Sequence, residues 1–282
     1  LVETVALVSG PGDPVVINPP VYPPFFAFTE HAGRTVVEAP LGDDGRLELD
    51  ALEAAFIRAG ADGRPVTYLL CNRHNPTAVA HTADELAAVA ALAAERRVRV
   101  VVDEIHGPLA EGFVPYLSVP GTEDAFVVTS ASKAFNLAGL KAAVVIAGEG
   151  PVREDLARLP EIVSHGPSHL GVMAHTAALR EGGPWLDAVR ADLAQNRLLL
   201  ADLLAEHLPA VRWEPRAGTY LAWLDCRELG LGDNPAAAFL EQGRVAVNSG
   251  LPFGTGGVRG RSGSTTPRHP TSSARHWSAW RK

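Results

Sequence analysis

With 282 residues, 46% of them apolar and 20% charged, the chain can bury one large core and a smaller second one, as a soluble globular protein does. Its net charge of −7 excludes a general affinity for nucleic acid or an anionic membrane surface. Apolar runs stop well short of the roughly 20 residues of a membrane span. Cys71 and Cys226 lack metal-ligand spacing and read as buried packing residues in a reducing, cytoplasmic setting.

In chain order, short β-rich runs are expected at 14–18, 34–39, 67–72, 97–104, 125–130 and 141–148, alternating with Ala/Leu-rich helical stretches. This alternation is the pattern of a wound α/β sheet. Residues 81–97 read as an amphipathic helix opened by a Thr82/Glu85 capping box and closed by Arg96 and Arg97. Residues 185–208 carry one long helical pattern, the bridge into a second lobe. Strands are then expected at VRWEP (211–215) and GTYLAWLDC (218–226), with a short helix near AAAFLEQG and one more strand running into a turn at VAVNSGLPFG (245–254). The resulting division is a large domain over 1–182, a smaller α+β domain over 183–258, and a tail over 259–282.

That tail holds six of the 25 Lys/Arg, no acid and no Val, Ile or Leu, so the preceding residues carry 19 bases against 32 acids. It is expected to be disordered, because it offers no apolar face to bury. The abrupt change of composition near residue 256 also fits a shifted reading frame. Leu1 opens the chain and Met173 is its one methionine, so a preceding segment is expected. No basic-then-apolar leader is present.

Three motifs fall at the carboxyl ends of expected strands, where open α/β sheets form their ligand crevice. They are CNRHNPT (71–77), DEIH (103–106) and TSASKAFNLAGLK (129–141). Asn75, Asp103 and Lys133 are about one β–α unit apart, so a shared site is geometrically natural. A lysine amine attacks a carbonyl only when neutral, which desolvation or nearby cations promote. A carboxylate such as Asp103 can hold a heterocyclic nitrogen protonated; taken alone, it reads equally as a helix cap or a surface acid. Ser130, Ser132 and Lys141 combine hydroxyls with a cation, a set that can hold a phosphate monoester. Singly, they read as turn formers and a solvent lysine. Tyr22, in NPPVYPPFF, either stacks on a flat ring or packs in its Pro-rich loop. His106 reads as a core histidine or a cofactor contact, and His74 as structural. The glycines at 254, 256 and 257 precede no helix and form no phosphate loop.

Taken together, HNPT, DEIH and SASKAFNLAGLK resemble the large domain of the pyridoxal 5′-phosphate (PLP)-dependent fold-type I enzymes, aminotransferase class I/II. DEIH, the preceding PVYPPF and the later GTYLAWLDCRELGL narrow the resemblance to the cystathionine β-lyase branch of MalY/PatB type. The resemblance covers residues 1–258 and implies a homodimeric carbon–sulfur lyase acting on cysteine S-conjugates. It assigns the Schiff base to Lys133, the pyridinium nitrogen to Asp103, the ring oxygen to Asn75 and the ring face to Tyr22. His106 stands where aminotransferases have a tyrosine, and Ser130, Ser132 and Lys141 hold the phosphate. An aminotransferase and an inactive remnant or binding protein are the alternatives.

The chain departs from that pattern in four ways. A Gly-containing phosphate loop would lie ahead of Leu1. Ala78 replaces a glycine after HNPT, and Ala217 replaces an acid before GTYL. After SGLPFG the family has an apolar strand bearing an arginine that clamps the substrate carboxylate, for which Arg259 and Arg261 are the nearest candidates.

Overall fold

The computed structural model describes residues 1–255 and 258–265. In chain order the elements are α1 Val2–Val8, β1 Pro14–Ile17, α2 Pro24–His31, β2 Thr35–Glu38, α3 Leu49–Ala59, β3 Thr67–Cys71, α4 Ala83–Arg96, β4 Arg99–Asp103, β5 Ala125–Thr129 and β6 Val144–Ala147. Then follow α5 Pro151–Ala157, α6 Glu161–His165, α7 His169–Glu181, α8 Gly183–His207, β7 Leu221–Asp225, α9 Pro235–Gly243, β8 Asn248–Ser249 and β9 Arg261–Thr265.

The first six strands form one sheet in the order β2-β1-β3-β4-β5-β6, parallel except for the edge strand β6. Both faces of this sheet are covered, and for that reason its inner strands read as unbroken apolar runs rather than alternating ones. Val16, Tyr68, Leu70, Val102 and Val127 pack on one side against Leu52 and Phe56 of α3 and Leu86 and Val89 of α4. On the other side Val15, Ile17, Leu69, Val101 and Phe126 meet Val5 of α1, Phe25 of α2 and Val152 of α5. The expected capping box is present. Thr82 Oγ accepts the Glu85 amide at 3.2 Å, and Glu85 Oε2 accepts the Thr82 amide at 2.7 Å.

Parallel register decides where the chemistry lies. Cys71 pairs with Asp103, and Asp103 with Val128, so β3, β4 and β5 end at the same edge. The loops after them carry Asn75, Ile105 and His106, and Lys133.

Helix α8, 25 residues and about 37 Å long, touches both cores. Leu186 and Leu193 in its first half pack against Leu109 and Ala134. Leu200 and Leu204 in its second half pack against Ala222, Leu224, Cys226 and Phe239. The second sheet is antiparallel, in the order β7-β9-β8.

Three expectations change here. VRWEP makes only an isolated bridge, Arg212 to Asp225, instead of a strand. The strand expected at 245–254 shrinks to Asn248–Ser249, after which Leu251–Phe253 turn as a short 3₁₀ segment. The tail expected to be disordered supplies the central strand of the second sheet, β9. Backbone pairing on both sides needs no apolar side chains. Ser262 and Gly263 are small enough to be covered completely, and Gly263 admits the Trp223 ring at 3.6 Å from where a Cβ would stand. The rest of the tail, from 266 onward, lies outside the described residues.

Cys71 and Cys226 are both free and buried, as expected. Among the described residues no helix is long and apolar enough to cross a membrane, and no group of three or more His, Cys, Asp or Glu side chains could hold a metal ion.

Candidate active site

Two neighbouring cavities open at the carboxyl edge of the parallel sheet. The inner one, about 250 Å³, is lined by Tyr22, Asn75, Asp103, His106, Ser132, Lys133 and Lys141, together with Leu1, Phe28, Cys71, Ile105 and Ala138. The outer one, about 440 Å³, shares Tyr22, Asn75, His106 and Lys133 with it and is closed by Tyr220, Asn248, Pro252 and Phe253 from beyond α8. Seven of the eight residues singled out in the sequence therefore meet at one place.

Ser130 is the exception. Its hydroxyl donates to Ala142 O at 2.7 Å and accepts the Ser132 amide at 3.1 Å, so both its hydrogen-bonding directions are used inside the loop. It braces the segment between Lys133 and Lys141 and does not line the cavity.

Asp103 ends β4 with 8% of its surface exposed. Its Oδ1 accepts the Ile105 amide at 3.0 Å, and among the described residues it has no ion-pair partner. Burial pushes its carboxyl up to about 6, against smaller opposing effects of the Ile105 amide, the Leu1 amine and Lys133. His106 lies nearby, 6% exposed, its ring 5.7 Å from that of Tyr220 in an edge-on arrangement. Burial, then the charges of Lys133 and Arg73, hold its imidazole down to about 4, so it is neutral at neutral pH. Its Nδ1 is buried without a hydrogen-bond partner.

Tyr22 is tied to the HNPT loop by its amide, which donates to Asn75 O at 2.9 Å. Burial and then the Asp103 charge raise its phenol above the ordinary value. His74 bonds Thr77 Oγ through Nδ1 at 3.1 Å and lines neither cavity, in keeping with a structural part. Ala78, where a glycine was expected, sits at φ 61, a left-handed conformation that favours glycine.

Sequence reasoning missed Tyr220, Asn248 and Phe253, whose segments were read only as strands and a turn. It also missed Arg73, 6% exposed, whose Nε donates to Ala78 O at 3.1 Å. Burial, then the charges of Arg216 and Arg197, lower its guanidinium to about 10. Gly218, at φ +73, lets the backbone pass over it; a Cβ there would lie 2.4 Å from Arg73 Nη1. The two clamp candidates do not reach the Lys133 cavity. Arg259 is exposed and pairs with Asp233, and Arg261 lies 3.8 Å from Asp225. On β9 it is Gly263 that faces the outer cavity.

Comparison with known proteins gives a consistent result. The profile of the family "Aminotransferase class I and II" matches residues 1–268. A Mycobacterium tuberculosis (strain ATCC 25618 / H37Rv) protein, provisionally named cystathionine beta-lyase, is 54% identical over 282 residues, covering 92% of this chain and 69% of that protein. The cystathionine beta-lyase PatB of Bacillus subtilis (strain 168) is 34% identical over 257 residues, covering 88% of this chain and 65% of PatB. Among solved structures, a protein of Corynebacterium diphtheriae provisionally described as a PLP-dependent beta-cystathionase superposes with a TM-score of 0.89 at 27% identity, covering 99% of this chain and 74% of that one.

The Corynebacterium diphtheriae protein is described as PLP-dependent, and the inner cavity of this chain fits that cofactor. A buried carboxylate with no cationic partner suits a protonated ring nitrogen, which would also keep it ionised. His106, whose buried Nδ1 has no hydrogen-bond partner among the described residues, and Asn75 line the same space, with Ser132 and Lys141 in its wall. Hydroxyl and ammonium donors of that kind suit a phosphate.

Proposed function

This chain belongs to the aminotransferase class I and II family, in its PLP-dependent cystathionine β-lyase branch, and from that premise we propose that it eliminates a thiol from the β-carbon of an L-cysteine S-conjugate of the cystathionine type, leaving pyruvate and ammonia. The observation that carries the reading is the Lys133 amine and the buried Asp103 carboxylate, which has no ion-pair partner among the described residues, in the wall of one cavity.

Bound PLP supplies an electron sink that stabilises negative charge at the substrate Cα. In our reading Lys133 Nζ is the cofactor's covalent anchor. Its free amine would take the substrate Cα proton as a general base. Asp103 holds the ring-nitrogen proton, so its buried position works for the reaction rather than against it. Asn75 and Tyr22 would hold the ring of the cofactor, and Ser132 and Lys141 would hold its phosphate. Ser130 keeps their loop in shape. His106, neutral and packed against Tyr220, orients without adding charge. Phe253 and Pro252 narrow the outer cavity over the departing sulfur and limit water there.

Two further parts of the reading concern setting. A homodimer is supported by Ile162, Leu170, Met173 and Leu179, apolar side chains of α6 and α7 that are 57–80% exposed. A reducing cytoplasm suits two buried free thiols.

The test is incubation of the PLP-loaded protein with cystathionine. Pyruvate released without an added keto acid is the expected result. A strict keto-acid requirement would mark an aminotransferase, and cofactor uptake without thiol release an inactive binding protein.

A further inference from the structure

The outer cavity has a neighbour at Leu221. Asn75 and Pro76 form part of its floor, and the next two residues, Thr77 and Ala78, form part of the wall of a third cleft of about 410 Å³. Leu221 is common to both. Trp223 borders the third cleft and holds its ring 4.9 Å from that of Phe253, which borders the outer cavity. The two spaces thus adjoin along the HNPT loop, at Leu221 and at the Trp223–Phe253 ring contact.

The far end has an uncommon balance of polar groups. Arg216 Nη1, Trp223 Nε1 and Arg261 Nε are buried there without hydrogen-bond partners among the described residues. Three orphan donors around one cleft leave unsatisfied hydrogen-bonding capacity that an anionic oxygen would meet, since a buried donor without a partner is destabilising. The cleft's carboxylates divide into two kinds. Glu214 is paired with Arg216, and Asp225 with Arg227 at 2.8 and 3.0 Å. Asp43 and Asp44 have no ion-pair partner among the described residues; Asp44 Oδ1 accepts the Arg46 amide. Orphan donors beside unneutralised acids complement a group carrying both a carboxylate and an ammonium, and match neither a plain anion nor an apolar chain.

We infer that this cleft is a specificity subsite for a zwitterionic amino acid at the distal end of the substrate's β-substituent, its carboxylate on Arg216, Arg261 and the Trp223 indole N–H and its ammonium on Asp43 and Asp44. The inference rests on the β-lyase reading and deepens it. The reacting half of a thioether that joins two amino acids lies at Lys133. Its sulfur passes Leu221 and its other half fills the cleft. Trp223 and Phe253 line the passage, where an aliphatic spacer packs well.

The experiment compares L-cystathionine with S-butyl-L-cysteine, of similar reach but apolar at its end, on the PLP-loaded full chain. Two quantities are read: kcat/KM for pyruvate release, and the heat of binding to the turnover-dead Lys133→Ala protein. Cystathionine is expected to be favoured by about tenfold or more in both. Arg261→Met is expected to bring that ratio to within about twofold. Trp223→Phe, which keeps an aromatic side chain but is smaller and lacks the N–H donor, lowers it by a smaller factor and guards against a misfolded arginine variant. Equal kcat/KM and equal affinity for the two compounds in the wild-type chain would overturn the subsite while leaving the lyase intact. A ratio unmoved by both substitutions would overturn it too. If neither compound yields pyruvate, the underlying lyase reading fails, and equal binding heats would then decide separately against the subsite.

Discussion

Asp103 stands directly across from Cys71 in the parallel pairing of β4 with β3, and the two side chains border the same cavity. Among the described residues no cation makes an ion pair with it, so the carboxylate is held by one backbone amide in a buried place, with the Lys133 charge acting only from a distance.

A stability prediction follows from the sign of that effect. The folded-state value, about 6, exceeds the ordinary 3.8, so the folded chain binds more protons than the unfolded one between these values. Stability from this group is therefore present at low pH and is lost as pH rises toward 6, by about 3 kcal/mol at most. Asp103→Asn removes the penalty. Cofactor-free variant is expected to be more stable than wild type by roughly 1–3 kcal/mol at pH 8, with the gap closing below pH 5. Urea unfolding at the two pH values measures it. A gap that is independent of pH would contradict the assignment. The same variant loses PLP affinity, read by absorbance titration.

Lys133→Ala should leave the far-ultraviolet circular dichroism unchanged and abolish cofactor fixation by borohydride. Pyruvate release is expected to fall by at least about a thousandfold, since the general base is removed along with the anchor. Retention of borohydride-fixed cofactor would move the anchor to another lysine.

Ser130 and Ser132 are expected to separate. Ser130→Ala deprives Ala142 O and the Ser132 amide of their partner and costs about 1–3 kcal/mol of folding stability. Ser132→Ala weakens PLP binding and leaves the unfolding midpoint within about 0.5 kcal/mol of wild type. Paired denaturation and cofactor titration distinguish the two, and a reversed pattern would exchange their assignments.

The start of α4 offers a control remote from the cavity. Thr82→Ala is expected to cost about 1 kcal/mol through the lost cap. Burial pushes the Glu85 carboxyl up, but the Arg46 side chain, the Thr82 amide and the Arg46 charge outweigh it and bring it down to about 2. Its stabilisation is present above the ordinary 4.5 and is lost as pH falls from there toward 2. Glu85→Gln should therefore destabilise by less than about 1 kcal/mol at pH 7, because the pair is solvent-screened, and by nothing near pH 2.

The chain order of strands, the α4 cap, the long α8 and the family were legible in the sequence because each rests on local signals: apolar periodicity, a capping pair at i and i+3, and short motifs after strands. Asn75, Asp103 and Lys133 could be grouped because a parallel sheet brings successive strand ends to one edge whatever the loops between them do. Position alone could not separate Ser130 from Ser132. Both are hydroxyls near Lys133, and the difference lies in Ala142 O, which β6 returns to within 2.7 Å of Ser130. β9 was illegible for a related reason: RSGST has no strand-like side chains, and its place is set by hydrogen bonds offered by β7 and β8.

Residue types and their spacing were thus sufficient for the scaffold, the lysine and the buried acid, since those depend on interactions within a few residues or on a repeating β–α unit. Only the folded chain decided which side chains beyond α8 close over Lys133, that Gly263 rather than an arginine faces the outer cavity, and that a third cleft adjoins it at Leu221. Those contacts join segments that are distant in the chain, and no local preference encodes them.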